Sequence, residues 1–290
     1  MADGSLKATT SASQLTTYSM CPRKYAFTYV WKAEPEFRSI ALVTGTLVHG
    51  GIDWWFGEKL EGRTPTLEAL DRIVEADVLA ATLETDGLRW KDGNAEDLER
   101  DVKRFLHTYL AEFGEEQVKQ IEAPFAVALV DADTGIEVGR EMRGFLDLVL
   151  VDDRVVELKT SARGWRQDDL ARHVQVGAYA YALHHLRGER TTLEVRVIVK
   201  LKGTPRVERH TISRGDSEIR WWLRAAADIE AAITRGHFPP APSMLCGECE
   251  YQSQCLGMTE IASRSMREIV VEAETAANDG GPNPRLPDAA

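Results

Sequence analysis

The chain reads as an α/β protein, a short mixed sheet flanked by helices with a long helical stretch ahead of it. Two changes of pattern and one residue type lead there. At Ile121 the apolar spacing changes from helical to extended. Beyond Lys159 helical and extended stretches alternate again, which suits a sheet covered by helices. Four cysteines, Cys21 near one end and Cys246, Cys249 and Cys255 near the other, suggest that the two chain ends are brought together.

The elements follow in order. Ser11 to Tyr29 predicts a helix capped by Ser11 or Ser13, with Leu15, Tyr18, Tyr25 and Phe27 as its apolar area. A second helix is predicted from about Thr46 to Leu60, carrying His49, Trp54 and Trp55. Gly62 to Pro65 breaks the chain before two amphipathic helices, Thr66 to Glu84 and Asn94 to Phe113, parted by Asp86-Gly87 and Asp92-Gly93. Pro124 to Val130, Glu137 to Val151 and Arg154 to Lys159 are rich in Val, Leu and Phe and read as three consecutive antiparallel strands. A helix over Leu170 to Leu186, a strand pair over Thr192 to Lys202 and Arg206 to Ile212, and a helix over Ser217 to Thr234 complete the core. Pro239, Pro240 and Pro242 then lead into the cysteine cluster. A helix is expected over 259–276, and the Gly- and Pro-rich 277–290 reads as a disordered tail.

Composition sets limits. The 290 residues are 43% apolar and 28% charged, as in ordinary globular chains. Apolar runs such as Phe125 to Val130 are far shorter than the roughly 20 residues of a membrane span. Met1 to Thr10 carries no hydrophobic signal segment, so no membrane partner and a cytoplasmic location are expected. The net charge of -11 argues against indiscriminate nucleic-acid binding by the whole surface. Its distribution is uneven: residues 57–120 balance to -7, whereas 157–210 balance to +5, so any phosphate-binding face lies in the second half.

The cysteines form a C-x2-C-x5-C cluster with one more thiol 225 positions upstream. In a reducing compartment this pattern favours metal ligation over disulfides, and its spacing alone suits zinc or an iron-sulfur cluster.

The sharpest local signal besides the cysteines is Gly144-Phe145-Leu146-Asp147 followed by Glu157-Leu158-Lys159. On a strand Glu157 and Lys159 share a face, because side chains alternate with period two. A bare Glu-x-Lys is ordinarily an exposed ion pair on a sheet edge. Asp147 changes that, since a hairpin folds it back towards Glu157. Paired carboxylates suit Mg2+ or Mn2+, which prefer oxygen ligands and can activate water beside a phosphoryl group. Lys159 is then suited to developing phosphate charge. Parity adds a condition. Asp147 joins Glu157 and Lys159 on one face only if the hairpin loop has three residues, expected as Asp152-Asp153-Arg154, or a bulge shifts the register. His49 sits in an apolar helical stretch, where a lone His is ordinarily a core side chain. Gln175 and Tyr179 share a helix face. Arg163, Arg166 and Arg172 precede them and can hold a phosphate backbone.

Taken in order, Cys21-Pro22-Arg23-Lys24-Tyr25, Gly45-x3-His49, Gly144-x2-Asp147, Glu157-x-Lys159, Gln175-x3-Tyr179 and Cys246-x2-Cys249-x5-Cys255 resemble the RecB-like nucleases of the PD-(D/E)XK superfamily. They look most like its iron-sulfur branch, which includes CRISPR-associated adaptation nucleases, helicase-linked nuclease domains and phage exonucleases. The resemblance covers residues 11–258 as a single nuclease domain. It implies a restriction-endonuclease-like core, and a 4Fe-4S cluster on Cys21, Cys246, Cys249 and Cys255 that joins the N- and C-terminal segments. It also implies Mg2+ or Mn2+ on His49, Asp147, Glu157 and the carbonyl of Leu158, Lys159 as the catalytic lysine, and Gln175 and Tyr179 in support. Glu122 aligns with an acidic residue on the first strand of some members. DNA is the implied substrate, with a separate helicase or a recombination or adaptation protein as a possible partner. The helical stretch 57–120 departs from the compact members as an insertion. No Gly-x4-Gly-Lys-Ser/Thr motif occurs, so any helicase motor is a separate chain.

The expectation is therefore a metal-dependent DNA exonuclease acting on single strands or ends. A non-catalytic DNA-end-binding subunit is the rival, against which Asp147, Glu157 and Lys159 argue. A zinc-stapled interaction protein is a third reading.

Overall fold

The computed structural model describes residues 8–83, 87–90, 93–187 and 191–257. The expected helix over 259–276 and tail over 277–290 lie outside them. The chain divides into two units, Met1–Ala241 and Pro242–Ala290.

In the first unit, strand β1 (Thr9–Thr10) leads into helix α1 (Ala12–Met20), where the Ser11 side chain accepts from the Gln14 amide at 3.2 Å. The expected continuous helix from Ser11 to Tyr29 breaks at Cys21, whose φ is -160°. Pro22 is the cause: its ring disfavours the helical region for the residue before it, while its own fixed φ suits a first helical position. Helix α2 (Pro22–Tyr25) restarts there and passes into a π-helical turn, Ala26–Val30. Strand β2 (Arg38–Ser39) precedes helix α3 (Ile40–Leu60), which begins six residues earlier than expected. Helix α4 (Leu67–Leu83), strand β3 (Leu88–Arg89, parallel to β2) and helix α5 (Ala95–Phe113) follow. Asn94 and Asp97 form the capping box that starts α5.

The sheet then builds up as strands β4 (Val118–Val127), β5 (Glu141–Leu150) and β6 (Val155–Ser161), antiparallel in sequence. Helices α6 (Gln167–Ala171) and α7 (Val174–Arg187) form a crossover to strand β7 (Thr191–Val199), which lies parallel to β6. Strand β8 (Arg206–Arg214) runs antiparallel to β7, and helix α8 (Asp216–Thr234) closes the order. The sheet is therefore mixed.

Pairing around β5 opens the site. Met142 pairs with Val127 of β4 and Thr10 of β1, while Leu148 pairs with Ile121 of β4 and Val156 of β6. Strands β1 and β6 thus share one edge of β5, opposite β4. Between them, 143–147 have no strand partner on that edge among the described residues. Asp147 lies at the end of this notch.

Alternation along the central strands separates two cores. Val155, Val195 and Val197 pack with Val176, Tyr179 and Trp222 on the α7–α8 side. Val156, Leu158 and Ile198 pack with Val48, Ile52, Val74, Val102 and Leu106 on the side of α3, α4 and α5. The stretch 57–120 begins inside α3, ends inside β4, and supplies much of that second core. A third cluster, Tyr18, Tyr25, Val30 and Ile233, holds the N-terminal helices to α8. There the Tyr18 hydroxyl donates to the His237 carbonyl at 2.7 Å and Arg23 Nε to the Phe238 carbonyl at 2.8 Å. The two ends of this first unit therefore meet two residues after Cys21. No described helix is long and apolar enough to cross a membrane.

In the second unit, a 3-10 turn, Met244–Glu248, is capped by Ser243, whose hydroxyl accepts from the Leu245 amide at 3.2 Å. The Ser243 amide in turn donates to Sγ of Cys246 at 3.4 Å. Cys255 lies in a helical turn over 252–257.

Candidate active site

The β5–β6 hairpin decides where its carboxylates point. Leu148 pairs with Val156 and Val149 with Val155, and the Leu150 amide donates to the Arg154 carbonyl at 2.9 Å. The loop is thus Val151-Asp152-Asp153, three residues long as parity requires but one position earlier than Asp152-Asp153-Arg154. Local chemistry sets that position. Asp153 takes the left-handed region, at φ 66°, which Asp tolerates, and Asp152 Oδ1 accepts from the Arg154 amide at 3.2 Å. Extending the register places Asp147 opposite Glu157.

Beyond Leu148 the strands part. The Leu158 amide donates to Asp147 Oδ2 at 2.6 Å in place of a ladder bond. Glu157, only 2% exposed, accepts from the Lys159 ammonium and from Gln175 Nε2 at 3.1 Å. Gln175 also donates to the Tyr179 hydroxyl at 3.2 Å, so the i, i+4 pair on α7 forms a wall behind Glu157. Burial pushes the Glu157 pKa up to about 8. The Lys159 ammonium opposes that rise and the Asp147 carboxylate adds to it.

From the other side of the notch, α3 brings His49 Nδ1 to 3.9 Å from Asp147 Oδ1. Its ring also hydrogen-bonds the Leu158 backbone, and burial holds its pKa below the usual value. His49, Asp147, Glu157, Leu158, Lys159, Gln175 and Tyr179 are therefore neighbours.

Asp53 was not singled out from the sequence. It follows His49 by one helical turn on α3, and burial, reinforced by the charges of Glu122 and Asp147, raises its pKa to about 7. The i, i+4 relation to His49 was the available signal. Glu122, exposed on β4, falls opposite Asp147, between the pairs Ile121–Leu148 and Ala123–Leu146, with a φ of 44°. A non-glycine residue with positive φ inside a strand is strained, and such strain gathers at functional sites.

A divalent cation suits this donor set chemically. Asp53, Glu122, Asp147 and Glu157 are oxygen donors whose mutual repulsion a dication relieves. Among the described residues, no three His, Cys, Asp or Glu side chains already converge as a metal-holding group, here or at the cysteines. Lys159 and the Leu158 amide occupy the carboxylates instead. None of the four cysteines forms a disulfide. Cys21 caps the end of α1 in the first unit, whereas Cys246, Cys249 and Cys255 belong to the second.

The basic residues singled out between β6 and α7 are exposed: Arg163 and Arg166 before α6, and Arg172 just before α7. Between Arg172 and α7, His173 stacks on Trp165 with centroids 4.9 Å apart. Burial, together with the nearby charge of Lys159, lowers the His173 pKa to about 4.

Comparison with known proteins gives the following similarities. A protein from Eubacterium rectale named "Putative exonuclease" is 15% identical, with 84% of this chain and 88% of that one covered and a TM-score of 0.49. A protein named SSO0001 is 11% identical, with 83% and 94% covered and a TM-score of 0.34. No curated protein matches the chain significantly. The family model described as the PD-(D/E)XK nuclease superfamily matches residues 9–256. With that match spanning most of its length, the chain belongs to the PD-(D/E)XK nuclease superfamily.

Proposed function

We propose that the chain is a metal-dependent DNA nuclease, acting as an exonuclease on single strands or DNA ends. One observation carries the reading: two carboxylates, Asp147 and Glu157, and one ammonium, Lys159, meet at the open notch between β5 and β6. Burying such a set inside the sheet is costly without a counter-ion or a task.

When bound, Mg2+ or Mn2+ held by His49, Asp147, Glu157 and the Leu158 carbonyl would supply an activated water and neutralise phosphoryl charge. The protein's own groups do the rest. The Leu158 amide fixes the Asp147 carboxylate, and Gln175, braced by Tyr179, fixes Glu157 from the α7 side. Lys159, 19% exposed at its side chain, reaches the notch as a ready cation for the developing charge of the attacked phosphate. Arg163, Arg166 and Arg172 supply positive charge along the approach.

The chain is further read as a RecB-like nuclease of the iron-sulfur branch, with a structural 4Fe-4S cluster on Cys21, Cys246, Cys249 and Cys255. The reading is supported by the C-x2-C-x5-C spacing, by four cysteines outside disulfides, and by the amide-to-sulfur contact at Cys246.

Anaerobically purified protein incubated with end-labelled single- and double-stranded DNA, with Mn2+ or with EDTA, tests the proposal. Metal-dependent release of short labelled products from single strands or ends is expected. Binding without cleavage at any metal concentration would favour the end-binding alternative.

A further inference from the structure

A cavity of about 310 Å³ lies on the far side of α7 from Glu157, lined by Arg172, His173, Gly177, Arg214, Trp221 and Trp222 among others. Residues two apart on a helix point about 200° apart, so α7 presents Gln175 and Tyr179 to Glu157 while His173 and Gly177 face this cavity. The two sites share the N-terminal turn of one helix.

Its walls are built of aromatic rings and cations. Trp222 is buried and fixed, with Nε1 donating to the Val174 carbonyl at 2.9 Å. A Cβ on Gly177 would lie 2.2 Å from Cδ1 of Trp222, so only glycine lets the indole close that wall. His173 is held from behind by Trp165. Arg214 is 8% exposed and satisfied by the Leu170 carbonyl at 2.7 Å and by Glu218 at 2.9 Å. That pairing also neutralises the cavity's carboxylate. Two groups have no such internal task. Trp221 presents an indole that is 56% exposed, directly beside its buried neighbour. Arg172 is exposed and pairs with no carboxylate among the described residues.

We propose that this cavity receives a nucleobase of the strand being cut, stacked on Trp221, while Arg172 holds a phosphate of the same strand at the N-terminal end of α7. The size is at the lower end of small-ligand sites, and a planar base joined to a phosphate matches one exposed ring beside one exposed guanidinium. A base stacked on a side chain has left its own helix. The substrate class is therefore single-stranded polynucleotide, or an end frayed by at least the nucleotides that span α7. This rests on the nuclease reading, and it assigns Trp221 and Arg172 as binding residues outside the catalytic set.

The test is anisotropy of a labelled oligothymidylate with the full chain in EDTA, repeated with a strand of the same length made of abasic units. Trp221→Ala is expected to weaken binding of oligothymidylate about tenfold, the loss of one base stack, and to leave the abasic strand within twofold. Trp221→Phe is expected to restore most of the loss. Arg172→Ala is expected to weaken both strands alike and to reduce the salt slope by about one. Oligothymidylate affinity within twofold of wild type in Trp221→Ala, or an equal loss on the abasic strand, would overturn the inference. Wild-type cleavage of DNA alongside that result leaves the nuclease reading standing and removes only the pocket. Wild-type protein that neither binds nor cleaves any strand overturns both.

Discussion

The backbone amide of Leu158 donates to the carboxylate of Asp147 at 2.6 Å, although the two residues lie on strands that have already stopped pairing. This bond aims Asp147 into the notch without a ladder, and it leaves the adjacent Leu158 carbonyl in contact with His49. Asp147→Ala is expected to lower cleavage by about 10²-fold or more, since on the proposed reading a carboxylate that would hold the metal is lost. Melting by circular dichroism should move by only a few degrees. Activity within tenfold of wild type would remove Asp147 from the hydrolytic set.

Without metal, stability should depend on pH in a defined window. Asp53 and Glu157 hold protons more tightly in the folded chain, to about 7 and about 8. Their contribution is complete below the ordinary carboxylate range and is lost as pH rises through those values. His49 and His173 are depressed, so they oppose this trend only up to their unfolded pKa near 6.5. The melting temperature of EDTA-treated protein is therefore expected to fall between about pH 6.5 and pH 8.5. Asp53→Asn should flatten that fall, and saturating Mg2+ should cancel it. A melting temperature that rises across this window would contradict the crowding of carboxylates.

Much of this site was legible because strand chemistry is local. Alternation put Glu157 and Lys159 on one face, and parity required a three-residue hairpin loop. The loop falls one position early, with Asp153 in the left-handed conformation, which Asp tolerates better than Arg. Asp53 was not legible: its importance comes from charges on β4 and β5 that only the folded chain brings near α3. The break at Cys21 followed from Pro22, a rule that the apolar spacing of Ser11 to Tyr29 masked. The parallel pairing of β6 with β7 depends on a crossover over α6 and α7, which periodicity does not encode.

Gly177→Ala sets two effects against each other. Alanine in a helix gains up to about 1 kcal/mol over glycine. The added methyl, 2.2 Å from Trp222 Cδ1, has to displace the indole and strain its bond to the Val174 carbonyl. Overpacking of this kind costs about 1 to 3 kcal/mol, so a net loss is expected in urea denaturation. A stabilised variant would show that Trp222 moves freely.

The half-buried Arg140 pairs with the buried Glu230, with Nε to Oε2 at 2.7 Å and Nη2 to Oε1 at 2.9 Å, and Glu230 is only 2% exposed. Arg140→Ala should cost about 3 to 5 kcal/mol because it strands the carboxylate. Arg140→Leu combined with Glu230→Leu is expected to recover most of that loss. Calorimetry showing the double variant as unstable as the single one would point to packing instead of charge.

Iron and acid-labile sulfide in anaerobically purified protein test the cysteine assignment. About four of each per chain are expected, and Cys21→Ala should lose them together with thermal stability. About one zinc per chain with no iron would replace the cluster with a zinc site.

The most direct test compares wild type with Lys159→Ala on end-labelled single-stranded DNA at saturating Mn2+. Wild type is expected to degrade the strand, and Lys159→Ala to be slower by about 10²-fold or more while binding the same DNA within a few fold. Equal degradation by both proteins, at equal metal and DNA concentration, would contradict a hydrolytic site built on Asp147, Glu157 and Lys159.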